Sequence, residues 1–121
     1  MSRIALGFGA SSAATPEEVL ALIEKTLART GKAPSLLATL DRRAALGEVV
    51  AHRLGLELQL FTPEALAGVE GVLTYSCRSL AVAKTPSVAE AAALAALAPG
   101  AHLLAPRFLG PNSTCAMAIE S

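Results

Sequence analysis

Aromatic side chains are almost missing from this chain, which has one Tyr, three Phe and no Trp among 121 residues. Proteins that hold single-stranded nucleic acid stack its bases on such rings, so the shortage argues against that class. Charge of one sign is missing too. Ten basic and ten acidic residues cancel, which removes the electrostatic footprint of a nucleic-acid binder. Cysteine is as sparse: Cys77 and Cys115 stand far apart and form no CxxC pair. Neither a zinc site nor a disulfide framework is signalled. No run of about 18 apolar residues survives the interrupting Pro, Gly and charged positions, so no membrane span is expected. The opening Met1-Ser-Arg-Ile-Ala-Leu-Gly-Phe reaches glycine too soon for a signal peptide and reads as a strand. A cytoplasmic protein without cofactor or metal is expected.

What is present is a folded chain, 53% hydrophobic and 17% charged. Residues 1–121 are read as a single domain, long enough to bury a core without staples. The stretch that organises it is Lys84-Thr-Pro-Ser-Val-Ala-Glu-Ala-Ala-Ala-Leu-Ala-Ala-Leu97. Ser87 and Glu90 have the spacing of a capping box, and the Ala and Leu beyond them are strong helix formers. A helix apolar on all sides is buried. Its polar start, with Lys84 and Ser87 at the positive end of the helix dipole, suits a carboxylate or phosphate, or is an ordinary cap.

Along the chain, Arg3–Phe8 reads as a buried strand. Gly7-Phe-Gly9-Ala-Ser11-Ser12 then turns into a helix with Thr15 as N-cap, Pro16 at the first position and Glu18 closing a capping box. Val19, Leu20, Ile23 and Leu27 form its apolar face, and Gly31 can end it in a left-handed conformation. A glycine-rich turn before a helix start can cradle an anion, although the GxGxxG pattern is incomplete. A tight strand-to-helix turn is the plainer alternative.

Leu36–Thr39 reads as a second strand. Asp41 is expected to cap the next helix, whose apolar face is Leu46, Val49, Val50 and Leu54, with Gly55 closing it. Arg42 and Arg43 fall in the first turn, where positive charge is unfavourable by about 0.3–1 kcal/mol each. Either an anionic ligand supplies the missing charge, or two solvated arginines tolerate the penalty. Leu56–Phe61 alternates as an edge strand would, and Thr62-Pro63-Glu64 opens a short helix. Val72–Arg78 is hard to read, and Ser76 could cap a turn running to Ala83. His102–Ala105 is read as a strand, Pro106–Pro111 as a loop carrying Arg107, and Thr114–Ile119 as the last strand.

The sum is an α/β three-layer sandwich, helices on both faces of a mixed, mostly parallel sheet of about five strands. Ligands of such sheets sit beyond the carboxyl ends of the strands. The Gly7–Ser12 loop, the Thr39–Arg43 turn and the Lys84–Ser87 cap are therefore expected to face one crevice suited to a polycarboxylate.

Gly7-Phe-Gly9 with a capped helix, Leu37-Ala-Thr-Leu-Asp41, Ser87-Val-Ala-Glu-Ala-Ala-Ala-Leu94 and Thr114-Cys-Ala-Met-Ala118 occur here in the order of one family. The chain resembles CobE and the C-terminal domain of CbiG, from cobalamin biosynthesis, over nearly its whole length. The Ser-Val-Ala-Glu-Ala-Ala-Ala-Leu string is the most distinctive match. Lys84 stands where that family often has glycine, and Arg107 where it usually has lysine. CbiG opens a lactone on a cobalt-containing corrin precursor and releases acetaldehyde; CobE is its free-standing relative in the oxygen-dependent pathway. The resemblance implies a corrinoid or precorrin intermediate as ligand, and other enzymes of the pathway as possible partners.

Corrin precursors carry several carboxylates around a broad apolar ring. Ser11, Ser12, Thr39, Arg42, Lys84, Ser87 and Arg107 are expected to touch the acid groups. Gly7, Gly9, Asp41, Arg43 and Glu90 complete the candidate binding site. The alternative is a hydrolase acting on the lactone, with Glu90 or Asp41 as general base, although both are expected to be engaged at helix starts. His52 and His102 stand beside no Ser or Cys in a recognisable constellation. Cys115, inside an apolar strand, reads as a small core residue and not a nucleophile. A third reading is a subunit that docks on another pathway enzyme.

Overall fold

The first strand and the last lie side by side, and the sheet grows outward from them. In the computed structural model, which describes residues 3–69, 88–104 and 107–120, β1 (Ile4–Ala10) leads to α1 (Pro16–Thr30) and β2 (Leu36–Leu40). A 3₁₀ turn over Asp41–Arg43 enters α2 (Ala44–Leu54), followed by β3 (Glu57–Phe61) and α3 (Pro63–Ala67). After the undescribed stretch come α4 (Val88–Ala95), β4 (His102–Leu103), β5 (Phe108–Gly110) and β6 (Ser113–Ile119). The strand order is β3-β2-β1-β6-β4, with β5 also on β6. β1, β2 and β3 run parallel, and β6 lies antiparallel to β1 and to β4 and β5. The architecture is a mixed open α/β sheet covered by helices on both faces.

Alternation along the strands sorts the core. Leu6, Phe8, Leu37, Cys115 and Met117 point to one face and pack with Val19, Leu22 and Ile23 of α1 and Val50 and Ala51 of α2. Ala5, Leu36, Ala38 and Ala118 point to the other, against α4 and Leu66 of α3. The small residues of that second face let α4 approach closely. An added Cβ at Gly7 would collide with the Ala89 carbonyl oxygen and lie 2.6 Å from the Ala93 nitrogen. Gly7 is thus a packing glycine inside β1, not part of a turn.

The local chemistry of α1 is as expected. Thr15 Oγ1 accepts from Glu18 N, Glu18 returns the bond to Thr15 N, and Gly31 ends the helix at φ 65°. Leu22 is buried on its inner face beside Val19 and Ile23, while Leu20 and Leu27 are partly covered. α4 is buried from Val88 to Leu94, although it stops at Ala95 and not Leu97. The proposed Ser87 cap, Lys84 and the Ser76–Ala83 turn lie outside the described residues.

Four expectations are corrected. Asp41 caps nothing with its side chain; it opens the 3₁₀ turn, and Arg43 occupies the N-cap position of α2 without a side-chain bond of that kind. Val49 is 41% exposed, because the inner stripe of α2 runs through Gly47, Val50 and Ala51. Of the strand expected over His102–Ala105, the regular part is His102–Leu103, with Leu104 N donating on to the Met117 carbonyl, and Ala105 lies outside the described residues. Phe108–Gly110, read as loop, is a strand joined to β6 by the two-residue turn Pro111-Asn112. Proline at the first central position and Asn112 at φ 58° at the second meet the needs of a type II turn.

Candidate functional site

β1 and β2 end side by side, and β6 begins next to the end of β1, where Ala10 faces Ser113. A cavity of about 470 Å³ opens there. That is a volume typical of a small-ligand pocket, or of one that holds the edge of something larger. From β1 and its loop come Gly9, Ala10 and Ser11; from β2 and its turn come Thr39, Leu40, Arg42 and Arg43. Val88, at the start of α4, and Arg107 close one side, and the β5–β6 hairpin supplies Leu109, Gly110 and residues 112–114.

Backbone and side-chain bonds hold these pieces in place. Ser11 N donates to the Asn112 carbonyl at 2.9 Å, tying the β1 loop to the hairpin. Ser11 Oγ accepts from Ala13 N at 3.2 Å. Thr39 is fully buried, and its hydroxyl donates to the Phe8 carbonyl at 2.8 Å. Arg43 Nε donates to the Ala10 carbonyl at 2.9 Å, which fixes the 3₁₀ turn to the end of β1. The positive charge near the start of α2 therefore has an intramolecular partner at Arg43, whereas Arg42 is exposed at the cavity. Ser113 Oγ donates to the Pro111 carbonyl at 3.2 Å.

Of the residues expected to form one site, the fold gathers Gly9, Ser11, Thr39, Arg42, Arg43 and Arg107 around this cavity. Ser12 and Asp41 are exposed and do not line it, and Gly7 is sealed beneath α4. Glu90 lies fully buried, with its Oε2 accepting from Arg107 N at 3.0 Å. Lys84 and Ser87 are outside the described residues, although Val88, the next residue, lines the cavity. Asn112, Ser113 and Thr114 were not anticipated as lining residues. The Pro111-Asn112 pair is a turn signal that could have exposed the hairpin presenting them.

Three arginines face the cavity, and none of its described lining residues is Asp, Glu, His or Cys. Burial pushes the Cys115 thiol up to about 12, against smaller lowering contributions from hydrogen bonds with Thr26 and the Ala116 backbone. It is a core thiol. His52 and His102 are exposed on α2 and β4, away from the cavity. No group of three or more His, Cys, Asp or Glu among the described residues could hold a metal ion, and no described helix is long and apolar enough to cross a membrane.

Residues 4–118 match the family model for the cobalamin synthesis G C-terminus. The chain belongs to this family. Solved structures agree with the assignment. CobE, a protein from the cobalamin biosynthetic pathway, superposes with a TM-score of 0.87 at 27% identity, over 98% of this chain and 93% of that one. The cobalamin biosynthesis protein chiG of Agrobacterium tumefaciens gives 0.76 at 29% identity, over 98% of each chain. A cobalamin biosynthesis protein G homologue from Sulfolobus solfataricus shares the fold, at 0.77 and 20% identity, with this chain spanning 37% of it. No curated protein matches significantly.

Proposed function

We propose that this member of the cobalamin biosynthesis family binds a corrinoid or precorrin intermediate in the cytoplasm, receiving its acid arms in the strand-end cavity. One observation carries the reading: Arg42, Arg43 and Arg107 converge where no described lining residue is acidic. Guanidinium groups pair with carboxylates through charge-assisted, often bidentate, hydrogen bonds. Leu109 favours an amphipathic ligand over a small free anion. It lines the same cavity and is 70% exposed, so an apolar ring edge resting on it would remove that surface from water. The cavity volume suits one edge of a macrocycle, with the remainder outside.

Cobyrinic acid, a corrinoid with free carboxylates, and its fully methyl-esterified form separate the contributions. The acid is expected to bind and the ester to bind at least about tenfold more weakly, as loss of a charged hydrogen bond implies. Arg42→Glu should abolish retention of the acid and leave the melting temperature within a few degrees. Equal binding of acid and ester, or unchanged retention by Arg42→Glu, would remove the arginine cluster from the account. Release of acetaldehyde from a lactone-bearing precursor would favour the hydrolase. Neither binding nor turnover would leave the docking subunit.

A further inference from the structure

Glu90 is the only charged side chain among the described residues that is fully buried. It sits on α4, whose other buried residues are Val, Ala and Leu. A carboxylate in such surroundings is tolerated only when donors surround it. One of its donors is informative. Oε2 accepts from the backbone nitrogen of Arg107, 3.0 Å away, and Arg107 is one of the three cations lining the cavity.

The neighbouring strand pairs place that nitrogen at the sheet edge. His102 faces Ile119 and Leu103 faces Ala118 on β6, but pairing resumes with Phe108 opposite Cys115. Leu104 N also donates to the Met117 carbonyl at 2.9 Å, so three positions, 105–107, lie along the edge where β6 has one, Ala116. Arg107 directly precedes Phe108, where β5 begins to pair with β6. Its backbone N–H is held by a carboxylate projecting from α4. The helix is in turn held against β1 by the close approach at Gly7.

We infer that Glu90 is a positioning residue for the anion site: it anchors the Arg107 backbone just ahead of β5, and through it aims the Arg107 guanidinium into the cavity. It is neither a ligand contact nor a general base. This rests on the reading of the cavity as a carboxylate site.

Glu90→Gln keeps an oxygen of the same reach that can accept from Arg107 N. Glu90→Asp is a methylene too short, and Glu90→Ala has nothing. With cobyrinic acid as the probe, Arg107→Ala should weaken binding by about tenfold or more. Glu90→Asp and Glu90→Ala should approach that loss, and Glu90→Gln should stay within about twofold of wild type. The Glu90→Ala, Arg107→Ala pair should lose little beyond Arg107→Ala alone, because coupled residues do not add. Hydrogen exchange at the Arg107 amide needs no ligand: slow in wild type and Glu90→Gln, fast in Glu90→Asp and Glu90→Ala. A Glu90→Gln protein as impaired as Glu90→Ala, or fully additive losses, would overturn the inference in favour of a direct role for the charge. Unchanged exchange in Glu90→Asp would overturn the anchoring itself, and that variant carries the test if Glu90→Ala fails to fold. Should wild type bind no corrinoid, the functional reading fails, and the exchange series still decides the anchor.

Discussion

Arg42 and Arg43 are neighbours in sequence with different fates. Arg43 donates from Nε to the end of β1, while Arg42 remains exposed at the cavity. The unfavourable placement of two cations at a helix start was readable from the sequence, but its resolution was not. The partner of Arg43 is a carbonyl 33 positions away, and no local pattern encodes that pairing. Cys115 was readable as core because it stands among small apolar strand residues, and its burial yields a pH prediction. Burial raises its folded value to about 12 from an ordinary 9.0, so the folded state holds the proton more firmly. Stability from this group is intact below about pH 9 and is lost as pH rises toward 12, by about 1.4 kcal/mol per unit. Urea midpoints measured from pH 8 to 11 should therefore fall more steeply for wild type than for Cys115→Ala. Parallel curves would contradict the buried thiol.

Among the elements, α1 was the most legible, since its capping box, N-terminal proline and terminal glycine are all local devices. β5 was the least legible. Only three residues long and flanked by Pro106 and Pro111, it has too little length for alternation to show, and it exists because β6 offers an edge. The Gly7-Phe-Gly9 segment teaches a different lesson. A glycine pair before a helix suggests an anion turn, yet Gly7 is needed at the middle of β1 for contact with α4. Gly7→Ala should cost about 3 kcal/mol or more, because its new methyl meets helix backbone, which cannot swing aside. Gly31→Ala, at φ 65° with open space around it, should cost only about 1 kcal/mol. Chemical denaturation of the two variants checks the contrast, and equal losses would mean that α4 can retreat from the sheet.

At the scale of the molecule, alternating strands and helices announced the α/β class and placed the crevice at the strand ends. They could not announce which side of β1 the final strand would take, because that depends on pairing between the two ends of the domain. The pairing predicts a gradient of opening. β1 has neighbours on both edges and helices on both faces, whereas β4 is a two-residue strand with one further bond to β6 at Leu104. Native-state hydrogen exchange should be slowest at Leu6 and Phe8 and fastest in β4, since local stability follows burial and ladder completeness. Uniform protection would argue for all-or-none opening of the sheet.

The seven residue pairs between β1 and β6 also set a schedule for biosynthesis. A nascent domain emerging from the ribosome can lay β2 on one flank of β1, but the other flank stays open until residues 113–119 appear. Throughout translation an apolar strand with one bare edge must wait, within reach of chaperones or of other nascent chains. The last strand made completes the centre of the sheet, so the fold closes from its middle.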